Sequence, residues 1–369
     1  MDFKYSEEQQ MLSESLRRMA KDVWSFEQRR QRQKTTELDG VTWQHLAELG
    51  VLGLTIPQEF DGFGEGPASL LAIHLELGRA LVAEPVIASS VHSSAILRSS
   101  HQAQAHELLR HLAAGESVCT VALGESTRVD NLGKIQTLAR TQVDSYVLSG
   151  TKHNVAWGAQ ADYFIVSALL DGQLAVFLVP SDTEGVSKQD YPTMDGMRCA
   201  SVDFSQVVLD KDSLLVQGTQ ALEVLQAAEH EAIAAICAQT VGMMEQLLVI
   251  TVEYLKTRQQ FGKALSSFQV IQHRLADMYI QIEVAKSMAF VAAQALGLED
   301  PKERQRRISA AKIKVMQGAK FIGESAVQLH GGMGMTDELE VGDYFKRMTL
   351  NEFHYGDSVY HLSQLAVLK

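Results

Sequence analysis

A chain of 369 residues exceeds what one hydrophobic core usually organises, so two or three packed parts are expected. Hydrophobic residues at 46% and charged residues at 21% are ordinary globular values, and only 6 Pro and 26 Gly exclude collagen-like and Pro-rich low-complexity classes. A formal charge of -12 argues against a nucleic-acid partner, whose phosphates are neutralised by Lys and Arg. Cys119, Cys199 and Cys237 form no CxxC pair, which excludes a disulfide scaffold or zinc ribbon and fits a reducing compartment. No uninterrupted apolar run of about 18 residues is present, and Met1 to Tyr5 open without a signal-peptide apolar core. A cytoplasmic protein without a membrane span is expected.

The first part reads as helices. Ser6 and Gln9 have capping-box spacing, in which each side chain satisfies an orphan backbone donor of the other. Leu12, Leu16, Met19 and Val23 then recur at helical period, and Trp43, Leu46 and Leu49 form a short stripe stopped by Gly50. Pro57, Gly62, Gly64 and Gly66 mark a loop. Helical stretches follow across Leu70, Leu71, Leu75 and Leu77, and across Leu108, Leu109 and Leu112 to Gly115.

Near Val118 the period changes. Tyr146–Gly150 and Tyr163–Val166 read as strands from their β-branched and aromatic content. Asp171-Gly172, between two apolar runs, is the strongest hairpin signal, because both residues tolerate the positive φ of a type I′ turn. From about Ala221 the 3.6 period returns, with dense apolar stretches from Leu222 to Leu255 and from Phe268 to Leu298. A third helix opens around Lys302–Arg307 and reaches Leu329, and Gly331-Gly332-Met333-Gly334 interrupts before a last helical segment. The expected fold is multi-domain α+β: an N-terminal helical domain (1–116), a middle β-barrel or sandwich (117–216) and a C-terminal antiparallel four-helix bundle (217–369).

Two longer motifs carry more. Tyr254-Leu255-Lys256-Thr257-Arg258-Gln259-Gln260-Phe261-Gly262, followed by Phe268-Gln269-Val270-Ile271-Gln272-His273-Arg274-Leu275-Ala276-Asp277-Met278, resembles a signature of the acyl-CoA dehydrogenase family. Gln328-Leu329-His330-Gly331-Gly332-Met333-Gly334-Met335-Thr336 resembles its second signature, and the three-part order matches that family's fold. Phe26-Glu27-Gln28-Arg29-Arg30, Gly78-Arg79-Ala80-Leu81, Tyr191-Pro192-Thr193-Met194-Asp195-Gly196 and Tyr344-Phe345-Lys346-Arg347 look like the shorter subunits of two-subunit members, of the pimeloyl-CoA dehydrogenase small-subunit type.

The resemblance implies FAD as cofactor. It makes Arg258 a planar pair of donors for the pyrophosphate, Phe261 a cover for flat cofactor surface and Gln269 and Gln328 nearby polar partners. Gly331 and Gly332 would let backbone approach the adenosine portion. In the family these groups act across a subunit interface. Where members carry hydroxyls and a tryptophan beside the flavin ring, this chain departs: Gly124, Asn154 and Ala156 occupy those positions, and Trp157 is displaced by one residue.

The family's reaction needs a carboxylate held against the substrate. Its usual place holds Tyr355 here and its alternative place Ala232, so Glu231 and Asp357 are the nearest candidate catalytic residues. Each also has a plain structural reading, Asp357 as a helix cap. The spacing of His153, His273, His330, His354 and His361 matches no metal-ligand motif, and no metal is assigned.

The expected role is the smaller subunit of an α2β2 acyl-CoA dehydrogenase in lipid, steroid or aromatic acid catabolism. It would hold the adenosine diphosphate side of FAD, with a larger acyl-CoA dehydrogenase subunit, an acyl-CoA substrate and an electron-transferring flavoprotein as partners. Two alternatives stay open: a self-sufficient homotetramer with Glu231 or Asp357 as base, and a non-catalytic assembly subunit.

Overall fold

The computed structural model describes residues 6–125 and 135–368. The helices in chain order are α1 (Glu7–Val23), α2 (Phe26–Arg32), α3 (Gly40–Glu48), α4 (Pro67–Arg79), α5 (Ser94–Leu97), α6 (Ala103–Ala113), α7 (Thr219–Thr257), α8 (Gln269–Ala295), α9 (Pro301–His330), α10 (Val341–Asn351) and α11 (Ser358–Val367). The strands are β1 (Cys119–Ala122), β2 (Leu138–Thr141), β3 (Ser145–Ala156), β4 (Tyr163–Leu170), β5 (Gln173–Pro180), β6 (Val186–Pro192), β7 (Arg198–Asp210) and β8 (Leu214–Gln217), with a two-residue pair β9 (Gln259–Gln260) and β10 (Lys263–Ala264). N-terminal helices, a middle β-domain and C-terminal helices thus follow one another. In space the chain divides into two units, one of Met1–Gln31, Pro67–Val82 and Ile233–Lys369, the other of Arg32–Gly66 and Ala83–Ala232.

The helical unit begins with the expected capping box: the Ser6 N–H donates to Gln9 Oε1 at 2.9 Å and the Gln9 N–H to Ser6 Oγ at 3.2 Å. Helix α4 is buried without interruption from Ser69 to Gly78, as its all-round apolar sequence requires. Its one acid, Glu76, is buried and receives both Arg17 Nε and Nη2 at 2.7 Å, with Arg79 as a third partner. Helix α9 starts at an Asp300 cap with Pro301 at its first turn and ends at Gly331, whose φ of 60° and ψ of -140° suit only glycine. Phe26–Arg30 and Tyr344–Arg347 meet here: Arg29 pairs with Glu340 at 2.6 Å and lies 5.8 Å from the Tyr344 ring, while Arg30 pairs with Asp343 at 3.2 Å. The last helical segment of the sequence reading is two helices, α10 and α11, because Gly356 takes φ 90° between them and Asp357 caps the second.

In the other unit the sheet order is β6-β7-β3-β2-β4-β5-β8, with β1 pairing β4 in parallel. Asp171 and Gly172 have φ 52° and 78°, the type I′ turn expected between β4 and β5. Those two strands are mostly apolar, apart from Ser167 and Gln173, because both faces are covered over most of their length. Phe164, Val166, Phe177 and Val179 lie in one core with Leu148, Val202 and Phe204. Ile165, Val176 and Leu178 lie in a second with Leu108, Leu112, Leu225 and Ala228. An eight-residue π-helix, Val86–Ser93, precedes α5 and carries no pattern that periodicity detects.

Among the described residues one helix, α7, is long and apolar enough to cross a membrane by length and mean composition, although it holds no uninterrupted apolar run of that length. Gln239, Thr240, Gly242 and Glu245 break that run, and 72% of the most apolar window is buried inside the protein. The three cysteines are buried free thiols, each pushed up to about 12 by burial.

Candidate functional site

The first signature turns a helix end into an exposed tip. Helix α7 stops at Thr257, Arg258 follows, and the β9–β10 hairpin turns back at Phe261 and Gly262, with φ 55° and 79°. Positive φ at both central residues is a type I′ turn, normally filled by Asn-Gly. The Leu265 N–H donates to the Arg258 carbonyl at 2.9 Å and closes the hairpin base. Among the described residues the Arg258 guanidinium has no ion-pair partner, and Phe261 is 86% exposed. An aromatic residue in left-handed backbone with its ring in solvent is strained for no packing gain; Phe268 touches it only edge-on, at 6.1 Å. Replacing Phe261 by Asn is therefore expected to raise stability by about 1 kcal/mol while weakening FAD retention, checked by urea midpoint and by flavin titration of the same preparation. Stability and flavin affinity moving together would remove the ligand role of the ring.

The second signature lies beside the first. The Tyr254 and His330 rings stack at 4.3 Å and 26°, and the Tyr254 hydroxyl donates to the His330 carbonyl at 3.3 Å. A Cβ at Gly331 or Gly332 would meet nothing within 4 Å, whereas one at Gly334 would meet the Val327 carbonyl at 2.6 Å. The first two glycines leave room for a ligand; the last is demanded by packing. Gln269 opens α8 and Gln328 lies in the last turn of α9, both exposed. An unpaired guanidinium, an exposed ring and a glycine pair bordering open space suit the pyrophosphate and adenosine of FAD.

The β-domain positions are built differently. The register of β3 against β7 shifts between Lys152 and Val155, and Asn154 takes φ 56° in that bulge. Its N–H and side-chain carbonyl both engage the Tyr191 hydroxyl, at 3.1 and 3.0 Å. The buried Gly124 accepts from the His153 N–H at 2.7 Å, and the Ala156 carbonyl accepts from Thr120 Oγ1 at 2.8 Å. Trp157 lies just past the strand, buried, with Nε1 donating to the Ala83 carbonyl at 3.0 Å.

Residues the sequence reading did not single out lie beneath this run. Lys152 is fully buried, and its Nζ donates to Glu125 Oε1 at 2.6 Å, Ser167 Oγ at 3.0 Å and the Leu123 carbonyl at 3.3 Å. Glu125 also accepts from the backbone N–H groups of Gln136 and Thr137. Burial opposes its charge, but the Lys152 and backbone hydrogen bonds outweigh that and hold the carboxyl below the ordinary glutamate range. Lys312, equally buried, donates to the carbonyls of Asn351 and His354.

The two candidate bases are both engaged. Glu231 Oε2 receives Arg98 Nη2 at 2.6 Å, and Arg98 also donates to the carbonyls of Thr55 and Ser94. Asp357 Oδ1 accepts from the Tyr360 N–H at 2.7 Å as the cap of α11. Tyr355 has φ 59°, and its carbonyl bonds His361 Nε2 at 3.0 Å. Among the described residues no three His, Cys, Asp or Glu gather as a metal site.

Helices, β-domain and helices in this order, with the two signature motifs in the helical unit, are the organisation of a flavin-dependent dehydrogenase class. Residues 6–116 match the acyl-CoA dehydrogenase N-terminal domain, 120–211 its middle domain and 222–367 its C-terminal domain. The chain belongs to the acyl-CoA dehydrogenase family, whose members are FAD-dependent oxidoreductases. It is 29% identical to human mitochondrial short-chain specific acyl-CoA dehydrogenase over 84% of this chain and 77% of that one. It is 28% identical to a probable acyl-CoA dehydrogenase, YngJ, of Bacillus subtilis over 97% of each. Among solved structures it resembles a chain of the ChsE4-ChsE5 complex of Mycobacterium tuberculosis with a TM-score of 0.89 and 25% identity, covering 100% of this chain and 98% of that one. The Tcur3481-Tcur3483 steroid ACAD matches with a TM-score of 0.88 and 27% identity, over 98% and 97%.

Proposed function

We propose that this chain is the smaller subunit of an α2β2 acyl-CoA dehydrogenase and grips the adenosine diphosphate end of an FAD whose ring is seated in a larger partner subunit. The observation that carries this reading is the contrast between its two half-sites. Arg258, Phe261 and the Gly331-Gly332 pair are exposed and uncommitted, whereas Gly124 and Ala156 bring no side-chain hydroxyl and Asn154 is tied to Tyr191. Exposed apolar side chains along α8, Val270, Tyr279 and Ile280, support an assembled form. The likeness to a chain of a complex named for two proteins, and to a paired steroid ACAD, supports the two-subunit type.

FAD, when bound in this assembly, would supply the hydride acceptor that an acyl-CoA α,β-dehydrogenation needs. Arg258 would hold the pyrophosphate through paired donors, Phe261 would cover flat cofactor surface, and Gly331 and Gly332 would admit the adenosine closely. The base that removes the α-proton comes from the partner, since Glu231 is held by Arg98 and Asp357 by its helix. Electrons leave to an electron-transferring flavoprotein. A bulky acyl group, of dicarboxylic, aromatic or steroid type, is the substrate class proposed for the assembly.

The test is the flavin content of the assembly purified through a tag on this chain. Two flavins per four chains are expected, and Arg258→Ala should strip them. Four flavins per four chains would favour a self-sufficient enzyme. Unchanged flavin in Arg258→Ala would leave an assembly subunit that keeps only the fold.

A further inference from the structure

The two halves of the adenosine diphosphate grip come from the ends of α7 and α9, about seventy residues apart in sequence, so something other than chain continuity must set their spacing. We infer that the Tyr254–His330 stacked pair is the strut that holds Arg258 at a fixed distance from Gly331-Gly332, and that it governs FAD affinity without touching the cofactor. This rests on the reading above that those residues hold the adenosine diphosphate.

Four observations converge on it. The rings stack at 4.3 Å and 26°, close enough for direct contact over their faces. The Tyr254 hydroxyl donates to the His330 carbonyl at 3.3 Å, one of the orphan acceptors at the end of α9 and the one next to Gly331. The Tyr254 carbonyl accepts the Arg258 N–H at 2.9 Å, so Tyr254 lies one helical turn before the Arg258 backbone and a shift of one main chain carries the other. His330 is 3% exposed, and its Nδ1 lies 2.8 Å from the Ala326 carbonyl. That contact requires the proton on Nδ1, leaves Nε2 as the unprotonated nitrogen, and fixes the ring in one orientation. Burial also lowers the imidazole's basicity, with the Ala326 hydrogen bond opposing, so the ring favours its neutral form. An exposed, adaptable side chain would not need such fixing.

The strut is a positioning device, and its test separates shape from chemistry. In the flavin-stripped assembly retitrated with FAD, His330→Ala should weaken binding about tenfold, the order expected for a lost ring pair and a loosened carbonyl contact. His330→Phe, which keeps a flat ring against Tyr254, should restore most of the affinity. Tyr254→Leu acts at a half-buried position and should reproduce the alanine result even if His330→Ala does not fold. Unfolding midpoints of the flavin-free proteins accompany each titration, because a merely structural role would lower the midpoint and leave the affinity of the folded fraction unchanged. Wild-type FAD affinity in folded Tyr254→Leu, with Arg258→Ala still stripping flavin, would overturn the strut and leave the site standing. Full flavin retention in Arg258→Ala would instead overturn the reading of the site on which the strut depends.

Discussion

Lys152→Met is expected to lower stability by about 3–5 kcal/mol, because it strands the Glu125 carboxylate in an interior that has lost its counter-charge. Lys152 is wholly buried and Glu125 nearly so, at 12% exposure, so little water is available to compensate either charge. The pair's net stabilisation is a separate matter, since two desolvated ions recover much of their hydration loss only through mutual attraction. A Lys152→Met, Glu125→Gln double variant removes both charges while keeping an amide oxygen for the backbone donors of Gln136 and Thr137. It should recover roughly half the loss of the single variant, a coupling that additive, independent sites do not show. Acid adds a second signature. Glu125 has its folded-state carboxyl below the ordinary glutamate value of 4.5, so the pair's contribution is complete above that pH and is lost as pH falls through the lower folded value. The double variant should lack this acid-sensitive component. Urea midpoints of the flavin-free chain at neutral pH and near pH 4 measure both; equal losses in single and double variants would show that the charges do not interact.

That pair also marks where the sequence stops being readable. Features written in adjacent residues are legible: the Ser6–Gln9 box, the Asp171-Gly172 turn and the termination of α9 at Gly331 each depend on a few neighbours and local backbone preference. The largely buried strands β4 and β5 are legible as well, from their apolar stretches on either side of Asp171-Gly172. Lys152 and Glu125 are 27 residues apart and Arg98 and Glu231 are 133 apart, and nothing local says which charge answers which. The π-helix hides for another reason, because its hydrogen bonding departs from the 3.6 period by which helices are recognised.

The site divides in the same way. Arg258, Phe261, Gly331 and Gly332 stand out as residue types in two long motifs, and the chemistry of a guanidinium or a missing side chain needs no neighbour to be understood. That Gly334 serves packing while Gly331 and Gly332 border open space is visible only in three dimensions. The same holds for Asp357, whose commitment to the Tyr360 N–H depends on where α11 begins. A carboxylate near an expected position is a candidate by sequence; whether its oxygens face a substrate or a cap is decided by backbone geometry that the motif does not contain.

Gly242→Ala should be among the most damaging single-methyl additions in the helical unit. Alanine in a helix interior is ordinarily favoured over glycine by about 1 kcal/mol, so propensity alone predicts stabilisation. Here the added Cβ would lie 2.0 Å from the Leu75 carbonyl oxygen and 3.0 Å from the Arg79 N, and on the facing helix a Cβ at Gly78 would lie 2.0 Å from the Gln239 carbonyl oxygen. Helices α4 and α7 therefore cross backbone to backbone, each glycine receiving the other helix. Both obstacles are main-chain atoms inside hydrogen-bonded helices, so the strain is relieved only by separating the helices, and overpacking of this kind costs about 3 kcal/mol or more. Separation also stretches the ion pair that Arg79 makes with Glu245, and it displaces the run of α7 that carries Tyr254 and leads into Arg258. Stability and FAD affinity should therefore fall together in Gly242→Ala and again in Gly78→Ala. Gly342→Ala supplies the contrast: this helical position has nothing within 4 Å of the added methyl, and stability should hold or rise slightly. Unfolding midpoints and flavin titrations of the three variants, set against wild type, decide the matter. A folded Gly242→Ala protein of wild-type stability would mean that α4 and α7 do not cross at these glycines.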